Sequence, residues 1–364
     1  MTFNKDINKQ LSQMGWSSFF QDQLENIDGE TGNPARVVGV KRNSFQVSHG
    51  ETEWLATVSG KLIHKSNVLY PVVGDWVLLN DTVISSVLQR RNELSRGAAG
   101  RRNKQNASPQ RQQIIAANID TVFIVCGLDR DFNLRRIERY LTLVYNCALN
   151  PVIVLTKADL QPDPHVFVDD VESVAFGVPV HLISKDDTAG LMQLEQYLSF
   201  GRTITMIGSS GAGKSTLVNR LYGENVQTTG SVSESLNKGK HTTTSREMIM
   251  MPQGAMIIDN PGIREIAFWE GEKGIENAFP EIEQLAGACR FNNCSHIQEP
   301  GCAVIQAVND GELSKARLES YHKMKHELDY LAQRQSKSAD KVEKDRWKNV
   351  ALKVKAMKKG GYNK

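Results

Sequence analysis

At 364 residues the chain is long enough for about two or three domains, each with its own core. The formal charge of +3 and pI near 8.5 are only mildly basic, an average that can conceal a strongly basic segment beside a neutral one. No apolar run reaches bilayer length, and the polar start lacks the charged-then-apolar layout of a secretion signal, so a cytoplasmic protein without a membrane role is expected. Five cysteines, three of them in one short stretch, argue against a disulfide framework and for metal binding in a reducing compartment.

In chain order, residues 1–33 are polar, with a short helix predicted around 16–24. Gly29, Gly32 and Pro34 break what precedes them, so this reads as a loosely held N-terminal extension. In residues 34–95, short β-branched runs at 36–40, 44–47, 54–58, 76–79 and 82–88 predict five strands in a small barrel, with Gly74 as a corner glycine ahead of Trp76. A five-stranded OB-type barrel is the preferred reading; an SH3-like barrel would read much the same. Residues 96–113 place Arg96, Arg101, Arg102, Lys104 and Arg111 among small polar residues with almost nothing to bury, which predicts a basic linker.

Residues 114–270 change character. Strands at 121–125, 152–155, 178–182 and 203–207 alternate with helices at 134–147, 166–175 and 191–198, the pattern of an α/β domain with a parallel sheet covered on both faces. Cys126 and Cys147 fall on these elements as packing residues. Residues 271–364 read as helical and increasingly charged, interrupted by the cysteine cluster.

Motifs follow the strands. Thr156-Lys157-Ala158-Asp159 comes after the second strand and Ser184-Lys185 after the third; alone, the first of these also fits a strand-to-helix turn capped by Asp. The stronger signal is Gly208, Ser209, Ser210, Gly211, Ala212, Gly213, Lys214, Ser215 and Thr216, directly after a strand and opening a helix. Its glycines let backbone N–H groups turn inward around phosphates, Lys214 would reach the β and γ oxygens, and Ser215 would ligate Mg²⁺. Downstream, Asp259 and Gly262 of Asp259-Asn260-Pro261-Gly262 fit a carboxylate holding Mg²⁺ through water and an N–H meeting the γ-phosphate. Between the two lie His241 and Thr242-Thr243-Thr244, where a switch threonine must close over the metal; Thr243 is favoured, with Thr242 next.

With the phosphate loop in place, Asp159 gains a meaning. Its carboxylate can accept from N1–H and the exocyclic amine of guanine, which adenine cannot offer, and Lys157 would pack over the base. Thr156 stands where Asn is commoner; it keeps a hydroxyl and loses an amide donor, which weakens nucleotide affinity more than base choice. In ordinary GTPases the base-reading elements lie downstream of D-x-x-G; here they lie upstream, so the order is circularly permuted. The segment after Gly262 therefore leads out to the C-terminal region rather than back into the sheet.

Cys289, Cys294, His296 and Cys302 supply three sulfurs and one imidazole, a closed tetrahedral set suited to one structural zinc; the alternative is a set of small buried thiols beside a surface histidine.

On these residues the sequence resembles the ribosome small subunit-dependent GTPase A family (RsgA, also called YjeQ). The matching features are G-S-S-G-A-G-K-S-T at 208–216, K-H-T-T-T at 240–244, D-N-P-G at 259–262, T-K-A-D at 156–159 and C-x4-C-x-H-x5-C at 289–302, within a resemblance covering about residues 36–310. The resemblance implies an OB barrel that binds rRNA, GTPase activity stimulated by the small subunit, and a role in its late maturation. A monomer is expected.

Ile263 follows the D-x-x-G glycine where many GTPases carry a water-orienting glutamine, so unaided hydrolysis is expected to be slow. His241, beside the switch threonines, is the candidate for activating water, with Lys214 and Thr243 as the other catalytic candidates; a solvent-facing loop histidine is the alternative for His241. Between 312 and 364, Lys and Arg exceed Asp and Glu by eight, which suits phosphate contacts, and the basic linker is a second RNA candidate. Two readings stand: an enzyme whose hydrolysis times its departure from the ribosome, and an RNA-binding assembly factor in which GTP occupancy matters and turnover does not.

Overall fold

The computed structural model describes residues 5–26, 32–64, 69–97, 112–185, 188–223, 246–259 and 272–336. Two helices, α1 (Lys5–Gln13) and α2 (Ser18–Asn26), precede the barrel strands β1 (Asn33–Val40), β2 (Phe45–Ser48), β3 (Glu53–Val58), β4 (Trp76–Asn80) and β5 (Val83–Val87), with α3 (Gly60–His64) between β3 and β4. The strands close in the order β1-β2-β3-β5-β4 and back to β1. β3 runs parallel to β5 while all other barrel pairs are antiparallel. That Greek-key closure is the OB arrangement and removes the SH3-like alternative. Alternate residues fill the interior: Val37, Phe45, Val47, Ala56, Val77, Leu79 and Ile84 are all buried there.

The N-terminal extension is not loosely held, and that expectation is corrected. Leu11, Met14 and Phe20 are at most 1% exposed. They cover the outward face of β1 and β4, where Val38, Trp76 and Leu78 would otherwise meet water. Polar composition concealed this because few side chains of the extension carry the contact, these three together with partly buried Trp16 and Leu24. Buried Arg36 fastens the junction: it donates from Nη1 to Met14 O at 2.5 Å, from Nε to Gly74 O at 3.2 Å and from Nη2 to Asn118 O at 3.1 Å. Burial pushes its guanidinium down to about 9, so it remains a cation at neutral pH, held by carbonyl dipoles.

A two-stranded antiparallel ribbon, β6 (Glu93–Gly97) and β7 (Gln112–Ala117), follows the barrel. The described ends of the segment read as a linker are therefore paired strand; the rest of that basic segment lies outside the described residues. Gly74, at φ +94°, lies so close to the ribbon that a Cβ would come within 2.1 Å of Ala117 O. Only glycine fits there.

The α/β unit contains β8 (Thr121–Gly127), α4 (Leu134–Asn146), β9 (Asn150–Thr156), α5 (His165–Glu172), β10 (Val180–Ile183), α6 (Thr188–Glu195), β11 (Thr203–Ile207), α7 (Lys214–Tyr222), β12 (Arg246–Met250) and β13 (Met256–Asp259). Strand order is β10-β9-β8-β11-β13-β12, parallel except for antiparallel β12. Alternation along β8 sorts the two faces. Val122, Ile124 and Cys126 pack with Ile137 and Leu141 of α4, whereas Phe123 and Val125 pack with Leu194 of α6 and Leu217 of α7. Sequence reading missed β12, which pairs its Glu247 and Arg246 with Gly39 and Val40 of β1 and so joins barrel and α/β unit into one sheet. A bulge between Val37 and Gly39 lets β1 serve both.

The C-terminal helices α8 (Glu272–Ala278), α9 (Pro280–Ala286), α10 (Ala303–Asp310) and α11 (Lys315–Ser336) pack against the α4 face through Ile275, Phe279, Ile282 and Tyr321. Buried Arg317 pairs with Glu138 of α4 at 2.5 Å and with Glu281 of α9 at 2.7 Å. No helix among the described residues is long and apolar enough to cross a membrane.

Candidate nucleotide site and Cys-His cluster

Because β10, β9, β8, β11 and β13 run parallel, the loops at their carboxyl ends emerge from one edge of the sheet. Thr156 closes β9, Ser184 and Lys185 follow β10, Gly208 follows β11 and Asp259 closes β13. Rotated order along the chain thus becomes a row in space, with the candidate base-reading motifs on β10 and β9 at one end and the candidate phosphate motifs on β11 and β13 at the other.

The phosphate loop takes the shape its glycines permit. Gly208, Gly211 and Gly213 have φ values of +150°, +81° and +92°. A Cβ at Gly208 would strike Val125 O at 2.2 Å, which accounts for the first glycine. Gly213 precedes the first turn of α7, whose N-terminal N–H groups face the loop. Lys214 Nζ lies across the loop, donating to Gly208 O at 2.8 Å and Ser209 O at 2.5 Å.

Two bonds join the halves directly. Buried Thr156 donates from Oγ1 to Ala212 O at 2.6 Å, and Arg220 of α7 donates from Nη1 to Ser184 O at 2.5 Å. Thr156 thus braces the phosphate loop. Asp159 accepts from the Lys185 backbone N–H at 2.9 Å, so the two candidate base-reading segments also meet. Lys157 adopts φ +59°, and Ala158 is buried in the single helical turn that follows.

In the C-terminal unit, the ligand atoms of Cys289, Cys294, His296 and Cys302 all lie within 4.8 Å of one another. Cys289 Sγ is 3.8 Å from Cys302 Sγ, and His296 Nδ1 is 3.6 and 3.4 Å from these two sulfurs. A tetrahedral ion with metal–sulfur bonds of about 2.3 Å needs sulfur–sulfur edges of about 3.8 Å, so this donor set fits a four-coordinate metal. Cys302 caps α10, its sulfur accepting from Ile305 N–H at 3.4 Å. At Cys289 desolvation disfavours the thiolate, but the N–H groups of Val304 and Ala303 together with the neighbouring Cys302 and Cys294 thiols hold the thiol below its ordinary value.

Residues 87–269 match the model of the RsgA GTPase family. The small ribosomal subunit biogenesis GTPase RsgA of Syntrophotalea carbinolica is 43% identical over 325 residues, covering 87% of this chain and 89% of that protein. The chain belongs to the RsgA GTPase family. It is accordingly a GTPase. The protein of the same name from Methanosarcina acetivorans is 45% identical over 295 residues, 79% of this chain and 78% of its own. Among solved structures, YjeQ from Thermotoga maritima superposes with a TM-score of 0.59 at 28% identity, covering 82% of this chain and 99% of that one. The crystal structure of YloQ, described as a circularly permuted GTPase, has a TM-score of 0.58 at 24% identity over 83% of this chain and 96% of its own, a likeness of fold.

For this RsgA-family chain, His241, Thr242, Thr243, Thr244 and Gly262 lie outside the described residues. Sequence reading passed over Asp129 and Asp131, although two acids just past the end of a central strand of such a sheet are a usable signal. Asp129 meets Lys157, and Asp131 meets Ser209 Oγ and Arg136.

Proposed function

We propose that this RsgA-family GTPase acts in late maturation of the small ribosomal subunit, binding rRNA and hydrolysing GTP faster when the subunit is bound. The observation that carries the reading is the pairing of β1 with β12. An OB barrel is a nucleic-acid-binding scaffold, and here it shares a ladder with the strand that begins immediately after the switch threonines. RNA on the barrel and the state of the switch are thus mechanically adjacent. Relatives matched over about nine-tenths of their length carry the name small ribosomal subunit biogenesis GTPase.

In this reading Asp159 accepts from guanine, Lys157 packs over the base, and the loop from Ser184 to Lys185 closes its edge. Backbone N–H groups of residues 208–216 and the Lys214 ammonium bind the phosphates. Ser215, Thr243 and Asp259 would hold Mg²⁺, which neutralises charge developing on the transferred phosphoryl group. Water attacks the γ-phosphorus, the bond to the β–γ bridging oxygen breaks, and GDP and phosphate leave. His241 orients that water and takes its proton when the subunit is bound. Cys289, Cys294, His296 and Cys302 hold one structural zinc. The protein works as a cytoplasmic monomer.

The test is GTP hydrolysis by the full-length protein, alone and with purified small subunits. Turnover is expected to rise by at least about tenfold with subunits, and His241→Ala to lose that rise while still binding GTP. Absence of stimulation supports the assembly-factor reading, in which occupancy suffices; full stimulation of His241→Ala removes His241 from the mechanism.

A further inference from the structure

Residues 128–133, which join β8 to α4, carry two carboxylates with no task in the scheme above. Their place is set by topology: β8 lies between β9 and β11, so its loop falls between the base-reading and phosphate halves of the site. Asp131 accepts from Ser209 Oγ of the phosphate loop and from Arg136 Nη1, the latter at 2.5 Å. Leu128 donates its N–H to Thr156 O at 2.8 Å and accepts from Gln161 Nε2 at 2.6 Å. The loop is therefore pinned to both halves.

On that pinned loop, Asp129 is aimed by its own turn. One oxygen accepts from the Asp131 backbone N–H at 3.0 Å, and the other from Lys157 Nζ at 2.5 Å. Lys157 is consequently fixed along its whole length. Its backbone sits at φ +59°, its stem crosses Gly127 so closely that a Cβ there would lie 3.3 Å from Cδ, and its ammonium ends on Asp129. The bond from Lys157 holds the Asp129 carboxyl below the usual carboxylate range, so that carboxylate stays ionised at neutral pH. With side chains 32% and 29% exposed, such a pair adds little to fold stability. Its consequence is orientation: a lysine otherwise loses rotamer freedom when it packs on a base.

We propose that Asp129 is a positioning residue for guanine-nucleotide binding, setting the Lys157 stem as a preformed wall of the base slot and acting only through that lysine. This rests on the assignment of Lys157 as the base-packing residue.

The experiment is a double-mutant cycle in the full-length protein with Asp129→Asn, Lys157→Ala and the pair together. Three readouts are taken: the Kd of fluorescently labelled GDP, KM and kcat for GTP, and thermal unfolding without nucleotide. Asp129→Asn is expected to raise the Kd for GDP and the KM for GTP by one shared factor of about three to ten, well beyond any fall in kcat. The double variant is expected to match Lys157→Ala alone. Effects that multiply in the double variant overturn the proposal. So does an Asp129→Asn protein that melts earlier yet binds GDP normally, or one that binds normally while Lys157→Ala binds weakly. If Lys157→Ala itself binds GDP as tightly as the unaltered protein, the assignment of Lys157 fails first, and the two failures are thereby distinguished.

Discussion

The Thr156 hydroxyl donates to Ala212 O across a buried gap of 2.6 Å, linking two motifs that stand more than fifty positions apart in the chain. Thr156→Val keeps the shape and removes the donor, leaving a buried carbonyl without this partner at a cost of about 1–3 kcal/mol. GDP and GTP affinity are expected to fall together, by at least about fivefold, with guanine preference retained because Asp159 is untouched. Competition binding with GDP and ADP checks this, and loss of guanine preference would contradict it. The residue types of the nucleotide site are readable from sequence, since Gly-rich loops and acidic base readers have distinctive spacing. The partners of those residues are not. Nothing local to Thr156 says that its hydroxyl meets a carbonyl of the phosphate loop, and nothing local to Asp129 says that a lysine from the next strand ends on it.

At the scale of elements, α4 is the platform for the C-terminal helices. Its apolar stripe is legible as helical periodicity, but Glu138 on that stripe reads as an ordinary surface acid until Arg317 is seen to pair with it. Phe279 adds a ring 4.1 Å from the Arg317 guanidinium, and Ala278 O accepts from Nη2 at 2.6 Å. Arg317→Met would leave the Glu138 carboxylate buried without its cation, a loss of about 3–5 kcal/mol. Denaturant unfolding is expected to show that loss, and Glu138→Gln combined with Arg317→Met to recover part of it. Additive losses in the pair would mean the two side chains do not act as one unit. The same limit explains why β12 and the β6–β7 ribbon escaped the sequence reading: strand propensity is weak in short segments, and a strand is stabilised by neighbours that the local pattern does not name.

At the scale of the molecule, the permuted order makes the chain leave the α/β sheet through Asp259, at the phosphate end, and continue into α8 and the Cys-His unit. His296 is 4% exposed and Cys302 5%, while Cys289 and Cys294 are half-buried, so the cluster is anchored in the folded core of that unit by two of its four side chains. Metal removal by a strong chelator under denaturing conditions is expected to release one zinc per chain. In the native protein, chelation is expected to lower the unfolding midpoint of the C-terminal unit by at least about 5 °C, with GDP binding retained. An unchanged midpoint after verified metal loss would show that the cluster holds nothing together.

The sequence by itself determined which residue patterns are present: a glycine-rich phosphate-loop motif, an acid at the spacing of a base reader, three thiols and an imidazole at ligand spacing, a β-rich segment ahead of an α/β one, and the rotated order of the motifs. Each is a local pattern of residue type and interval, and local patterns survive without coordinates. Only the tertiary structure decided that the barrel is of the OB type and that the N-terminal helices seal it. It also decided that β1 continues the sheet through β12, and that Thr156, Asp129 and Asp131 tie the halves of the nucleotide site together. These are contacts between segments far apart in the chain, fixed by which surfaces bury each other best, and no window along the sequence contains both partners.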